Sequence, residues 1–140
     1  MSEKLSRPNP HSGMRHIALF VEKFDETLHF YTELMGMAVE WQPDPDNIYL
    51  CSGTDNLALH RYQGPQRPVA GQRLDHIGFI LNTPDDVDAW HAFLLANQVS
   101  IKTEPRTHRD GARSFYCLDP DGNLVQLIFH PPISGRMSGV

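Results

Sequence analysis

The chain has 140 residues, 40% of them hydrophobic and 21% charged, with a formal net charge of −5. That length suits one domain, or two small modules sharing a core. The acidic balance and scattered Lys and Arg exclude an electrostatic grip on nucleic acid, and no apolar run approaches the roughly 20 residues that span a bilayer.

Residues 1–13, MSEKLSRPNPHSG, are polar, lack the apolar core of a signal peptide, and read as a flexible N-terminal arm. MRHIALFV (14–21) alternates, with Ile17, Leu19 and Val21 on one strand face and His16, Ala18 and Phe20 on the other. Asp25 is the expected N-cap of a helix whose apolar residues Leu28, Tyr31, Leu34 and Met35 follow at helical spacing, with Gly36 closing it. Short strands are predicted at Met37–Gln42, Asn47–Cys51 and Asn56–Tyr62, separated by turn-forming PDPDN and SGTD. The first module is therefore βαβββ over 14–62.

A Gly/Pro-rich linker, 63–73, precedes a restart of the pattern. LDHIGFIL (74–81) alternates Ile77, Phe79 and Leu81 against His76, Gly78 and Ile80. Thr83-Pro84-Asp85-Asp86 is a helix start with proline at the first helical position, and Val87, Trp90, Phe93 and Leu94 form that helix's apolar stripe. Strands follow at Val99–Thr103, Ala112–Leu118 and Asn123–His130, the last two joined by the Asp119-Pro120-Asp121-Gly122 turn. This second βαβββ module spans 74–131, and 132–140 is a tail.

His16 and His76 occupy equivalent places in the two copies, which points to an internal duplication. In the last strand Val125, Leu127 and Phe129 face one way, so Gln126 is a long polar side chain on the opposite, otherwise apolar face. Two βαβββ copies imply an α+β fold whose mixed sheet curves into a cup. His16, His76 and Gln126 would lie on the concave face, and the small Ala18 and Gly78 would leave room there for a ligand.

MRHIALFV followed by FYTELMGM, then LDHIGF, then FYCLDPDGNLVQL resembles the vicinal oxygen chelate superfamily, over residues 14 to about 131. That superfamily includes glyoxalase I, extradiol dioxygenases, fosfomycin-resistance proteins and bleomycin-resistance proteins. The resemblance implies a cup-shaped sheet around one divalent metal (Zn, Ni, Mn or Fe), with His16 and His76 matching the first-strand ligands. Gln126 falls where the metal enzymes usually carry glutamate, and Ala58 falls where glyoxalase I supplies another. A glutamine carbonyl binds a divalent cation without balancing its charge, so the implied site is weaker and more electrophilic. The resemblance also implies a homodimer, often with modules of both chains completing the cup.

Two functions follow from these residues. One is a small-molecule metalloenzyme of lyase or dioxygenase type, which chelates adjacent substrate oxygens on a metal held by His16, His76 and Gln126. The other is a metal-free binding or sequestering protein using the same cup, as bleomycin-resistance proteins do. His60, Tyr62 and Tyr116 are further candidates for ligation or substrate contact; no catalytic residue is assigned. His11, His29, His91, His108 and His130 read as surface residues, and Trp41 and Trp90 as packing. Arg106, Arg109 and Arg113 read as a solvated loop. Cys51 and Cys117, lacking metal-type spacing, read as reduced thiols of a cytoplasmic protein.

Overall fold

The computed structural model describes residues 14–65, 74–132 and 134; the expected arm, most of the linker and the end of the tail lie outside the described residues. Strand β1 (His16–Val21) leads into helix α1 (Phe24–His29), which passes directly into a π-helical segment, Phe30–Leu34. The Met35 N–H closes that segment on the Phe30 carbonyl at 2.9 Å. Strands β2 (Ala38–Asp44), β3 (Asn47–Cys51) and β4 (Asn56–Arg61) complete the first half. The second half is β5 (Ile77–Leu81), α2 (Pro84–Ala96), β6 (Ser100–Ile101), β7 (Arg106–Thr107), β8 (Arg113–Leu118) and β9 (Leu124–Phe129).

The halves share one topology. A four-stranded sheet runs β1-β4-β3-β2, and a five-stranded sheet runs β5-β9-β8-β6 with β7 also on β8. In each, the first strand pairs parallel with the last and the remaining pairs are antiparallel. The mixed strand order matches the expected α+β architecture. Among the described residues no strand pair joins the two sheets. The short β7 is an element beyond the expected repeat.

Strand alternation decides which face is covered. Leu19, Val21, Leu57 and Leu59 of the first sheet are buried in one cluster with Ile77, Leu81, Val125 and Leu127 of the second, and with Phe24, Phe30, Tyr31, Val87 and Leu94. The opposite faces hold His16, Ala18 and Phe20 on β1 and Gly78 and Ile80 on β5, all exposed.

The two helix starts differ. Thr83 caps α2 as expected, its Oγ1 accepting the Asp86 N–H at 3.1 Å. Asp25 does not cap α1: Lys23 holds the N-cap position without a side-chain bond, because Phe24 is drawn into the core as the first helical residue. Instead Asp121 Oδ1, from the turn before β9, accepts the Glu22 N–H at 2.7 Å and the Lys23 N–H at 2.8 Å.

Candidate functional site

On the second sheet the open face is set by register. Gly78 pairs with Gln126 and Gln126 with Tyr116 across β5, β9 and β8, so these positions form one cross-strand row. A Cβ built on Gly78 would lie 3.8 Å from Gln126 Cβ and 3.9 Å from its Oε1, so the amide oxygen overhangs the bare glycine. His76 immediately precedes β5, and its ring stands edge-on to Tyr116 with centroids 5.3 Å apart. Its Nδ1 lies 2.6 Å from Asp75 Oδ1. A carboxylate only accepts, so Nδ1 is the donor, and in the neutral ring Nε2 carries the lone pair. His76, Gln126 and Tyr116 are thus brought together.

The first sheet carries a similar arrangement, built from three strands. His16 Nδ1 lies 2.7 Å from Asn56 Oδ1, and Asn56 Nδ2 donates to Glu40 Oε1 at 3.0 Å. Only the NH₂ of an amide can donate to a carboxylate, so Asn56 must turn its oxygen toward His16. Nδ1 is then the donor of His16, and in the neutral ring Nε2 is the acceptor. The same relay recurs at His60: its Nδ1 lies 2.6 Å from Asn47 Oδ1, and Asn47 Nδ2 donates to Asp44 Oδ1 at 2.9 Å. Those bonds, led by the Asn47 amide, hold the Asp44 carboxyl below its ordinary value, which keeps it an acceptor. Asn56 and Glu40 carried no signal in the sequence; Asp44 and Asn47 lie in the PDPDN turn, but their tie to His60 depends on the β3–β4 register.

Between the two relays lie Ala18 and Ala58, paired in register, with Ala58 in turn opposite Tyr49. Trp41 corrects its expected role in packing. It is 59% exposed and stacks on Tyr49 at 5.3 Å and 17°. Tyr62 stands edge-on at 6.3 Å to Phe20, whose ring also lies 5.8 Å from that of His60, and is folded over Gly64, where a Cβ would meet its hydroxyl at 2.7 Å. His91 also departs from its expected surface role: its side chain is 15% exposed, 3.2 Å from Glu104 Oε2 and edge-on to Phe115. Arg113 leaves its loop role and forks onto Asp88 of α2 at 2.7 and 3.2 Å.

A cavity of about 150 Å³ separates the starts of β1 and β5, lined by Arg15, Ile17, Asn56, Ile77 and Gly78 among others. The sequence neighbours of His16 and His76 therefore flank one small space. A larger cavity of about 670 Å³, between α1 and the 97–100 loop, holds none of the candidate residues. No group of three or more His, Cys, Asp or Glu side chains suited to a metal occurs among the described residues, in keeping with alanine at 58 and glutamine at 126.

The two halves are locked on the covered side. Tyr31 Oη donates to Asp119 Oδ2 at 2.8 Å, and Asn123 donates to both Asp119 oxygens. Burial pushes the Asp119 carboxyl above the ordinary carboxylate range against the pull of those bonds, and burial with the facing carboxyl pushes the Tyr31 phenol well above its usual value. Burial also pushes the Cys117 thiol up to about 12, so it is no nucleophile at neutral pH.

Comparison with known proteins agrees with this architecture. The model of the Glyoxalase/Bleomycin resistance protein/Dioxygenase superfamily matches residues 13–127. A lactoylglutathione lyase from Agrobacterium tumefaciens is similar at 20% identity, covering 94% of this chain and 100% of its own, with a TM-score of 0.70. A fosfomycin resistance protein from Listeria monocytogenes is similar at 21% identity, covering 86% of this chain and 93% of its own, with a TM-score of 0.69. An integron cassette protein from V. cholerae is 26% identical over 86% of this chain and 97% of its own, with a TM-score of 0.63. With its repeated topology and a family match over most of its length, the chain belongs to the glyoxalase/bleomycin resistance protein/dioxygenase superfamily.

Proposed function

We propose that this chain is a small-molecule metalloenzyme of lyase or dioxygenase type, with a divalent ion held by His16, His76 and the amide oxygen of Gln126. The observation that supports it is the matched state of the two first-strand histidines. Each has Nδ1 tied to an acceptor oxygen, of Asn56 or Asp75, and so presents Nε2 as the ligating nitrogen. Gln126 shares its face and cross-strand row with Tyr116, which stands against His76. A zinc, nickel, manganese or iron ion there would act as a Lewis acid on adjacent substrate oxygens. The chain's own residues bind and orient: Asn56 and Asp75 fix the imidazoles, Gln126 adds a neutral oxygen, and Tyr116 packs one ligand in place.

The reading extends to a homodimer working in the cytoplasm. The open faces carry Phe20 at 60%, Trp41 at 59% and Ile80 at 46% exposure, and a second copy would enclose them. A dimer mass by light scattering at micromolar concentration is expected. The alternative is a metal-free sequestering protein, which the neutral glutamine and the alanine at 58 favour.

Calorimetric titration of the chelator-treated chain with zinc, nickel and manganese separates the two. Weak binding by the natural chain, tighter binding by Gln126→Glu and loss in His16→Ala are expected. If neither the natural chain nor Gln126→Glu binds any of the three ions, the sequestering reading replaces this one.

A further inference from the structure

The cavity of about 670 Å³ between α1 and the 97–100 loop shares no residue with the His16, His76, Gln126 and Tyr116 positions. Its volume is that of a small-molecule site. Two departures from ordinary backbone meet there. The π-helical segment lends both its ends, Phe30 and Leu34, to the lining. Such segments are rare, and they recur at functional sites. The end of α2 supplies another wall. There the Gln98 N–H donates to the Leu95 carbonyl and the Val99 N–H to the Leu94 carbonyl, both at 3.1 Å, which is a Schellman ending. That ending puts Gln98 at a φ of 64°, the one left-handed residue other than glycine among the described residues. Glycine usually takes this place, because a Cβ is strained there. This chain puts a glutamine there instead, and the glutamine lines the cavity.

The lining combines an apolar floor with a charged rim. Phe30 is buried, and Leu34 and Val99 are half-buried, so the floor offers apolar contact. Asp25, Glu26 and Asp119 line the same space, and no Lys or Arg does. Asp119 is already taken up by Tyr31, Asp121 and Asn123. Asp25 reaches Arg61 only at 3.9 Å, and Glu26 has no ion-pair partner among the described residues. Burial of an apolar body supplies affinity, and carboxylates without facing cations select the sign of its charge. We propose that this cavity is a second ligand site, separate from the open sheet faces, for an aliphatic amine. The alkyl chain lies over Phe30, Leu34 and Val99, and the ammonium group faces Asp25 and Glu26. The Gln98 side-chain carbonyl accepts one of the ammonium N–H groups, which is why glutamine stands where the backbone favours glycine. The site needs no metal and does not depend on the reading of His16, His76 and Gln126.

The test uses the full chain, freed of metal with chelator, at neutral pH and low salt, with hexylamine, hexanol, hexanoate and ethylamine as probes. Two-dimensional amide NMR titration reports both affinity and place. Hexylamine is expected to shift the amides of Glu26, Gln98, Val99 and Gly122. It should bind about threefold tighter than hexanol and about tenfold tighter than hexanoate. Ethylamine, which lacks four of the methylenes, should bind about thirtyfold more weakly than hexylamine. Asp25→Asn combined with Glu26→Gln should bring hexylamine and hexanol to equal affinity. Gln98→Gly should raise the melting temperature, because it relieves the left-handed strain, and should weaken hexylamine binding about threefold. A glutamine with a merely structural role would not trade stability for binding in this way. Hexylamine shifts confined to the open sheet faces, hexanoate binding as tightly as hexylamine, absence of hexylamine binding at millimolar concentration, or undiminished binding by Gln98→Gly each overturn the site.

Discussion

Tyr31 Oη and Asp119 Oδ2 meet at 2.8 Å in the buried layer, joining the helical segment of the first half to the turn that launches β9. The same turn sends Asp121 Oδ1 back to the amides that open α1. The second half thus holds the backbone that leads into the helix of the first.

Tyr31→Phe leaves the ring and removes the donor from an acceptor that is 3% exposed. The expected loss is about 0.5–1.5 kcal/mol, the usual net worth of one hydrogen bond, because Asn123 Nδ2 still donates to Asp119 Oδ2. Urea denaturation monitored by circular dichroism measures it, and a loss below about 0.5 kcal/mol would assign the joint to packing alone.

Cys117 makes stability depend on alkaline pH. Its folded pKa, near 12, lies above the unfolded value of about 8.5, so the folded chain binds more protons between those limits. That contribution is fully present below about pH 8.5 and is lost as pH rises toward 12. Tyr31, also raised by burial, adds a loss in the same direction above about pH 10. Cys117→Ala should flatten the fall in urea midpoint between pH 8 and about 10. A slope identical to that of the natural chain would contradict the assignment.

The unlike helix starts give a paired prediction. Thr83→Ala should destabilise by about 1 kcal/mol through the lost cap on α2. Asp25→Ala should change stability by less than about 0.5 kcal/mol, since Asp25 caps nothing and faces Arg61 only at 3.9 Å. Asp121→Ala should behave like Thr83→Ala, although it lies far from α1 in sequence. Thermal melts of the three variants decide the order.

Asn56→Leu removes the acceptor that fixes the tautomer of His16 and leaves Glu40 without its donor. If His16 is a ligand, metal affinity should fall about 10–100-fold, the usual effect of losing a ligand's supporting hydrogen bond. Calorimetry compares this variant with Asn47→Leu, which supports His60 and should leave metal affinity unchanged.

Local pattern determined a large part of this protein. Period-two alternation assigned Ile17, Leu19, Val21, Ile77, Phe79, Leu81, Val125, Leu127 and Phe129 to the covered face; the structure buries six of them and packs Ile17, Phe79 and Phe129, half-buried, against the same core. The repeat between the His16 and His76 stretches anticipated one strand order used twice, because each strand's periodicity and each turn's chemistry act over a few residues; that the modules form two sheets and not one curved sheet was set by their tertiary packing. The α2 cap was legible for the same reason: Thr83, Pro84 and Asp86 act on adjacent amides.

What the tertiary structure decided is everything set by cross-strand register or by contact between the halves. Asp121 displaced Asp25 at the start of α1 because the second half packs there. Trp41 reads as packing by composition, yet it lies open because β2 is the edge strand of its sheet, and it stacks on Tyr49 because the register sets the two side by side. The two histidine–asparagine–carboxylate relays each run across three strands, and no local period can announce the His16–Asn56 and His60–Asn47 pairs that begin them. Their physical origin is the lateral spacing of strands, which brings side chains distant in sequence within hydrogen-bond reach once the pairing is chosen.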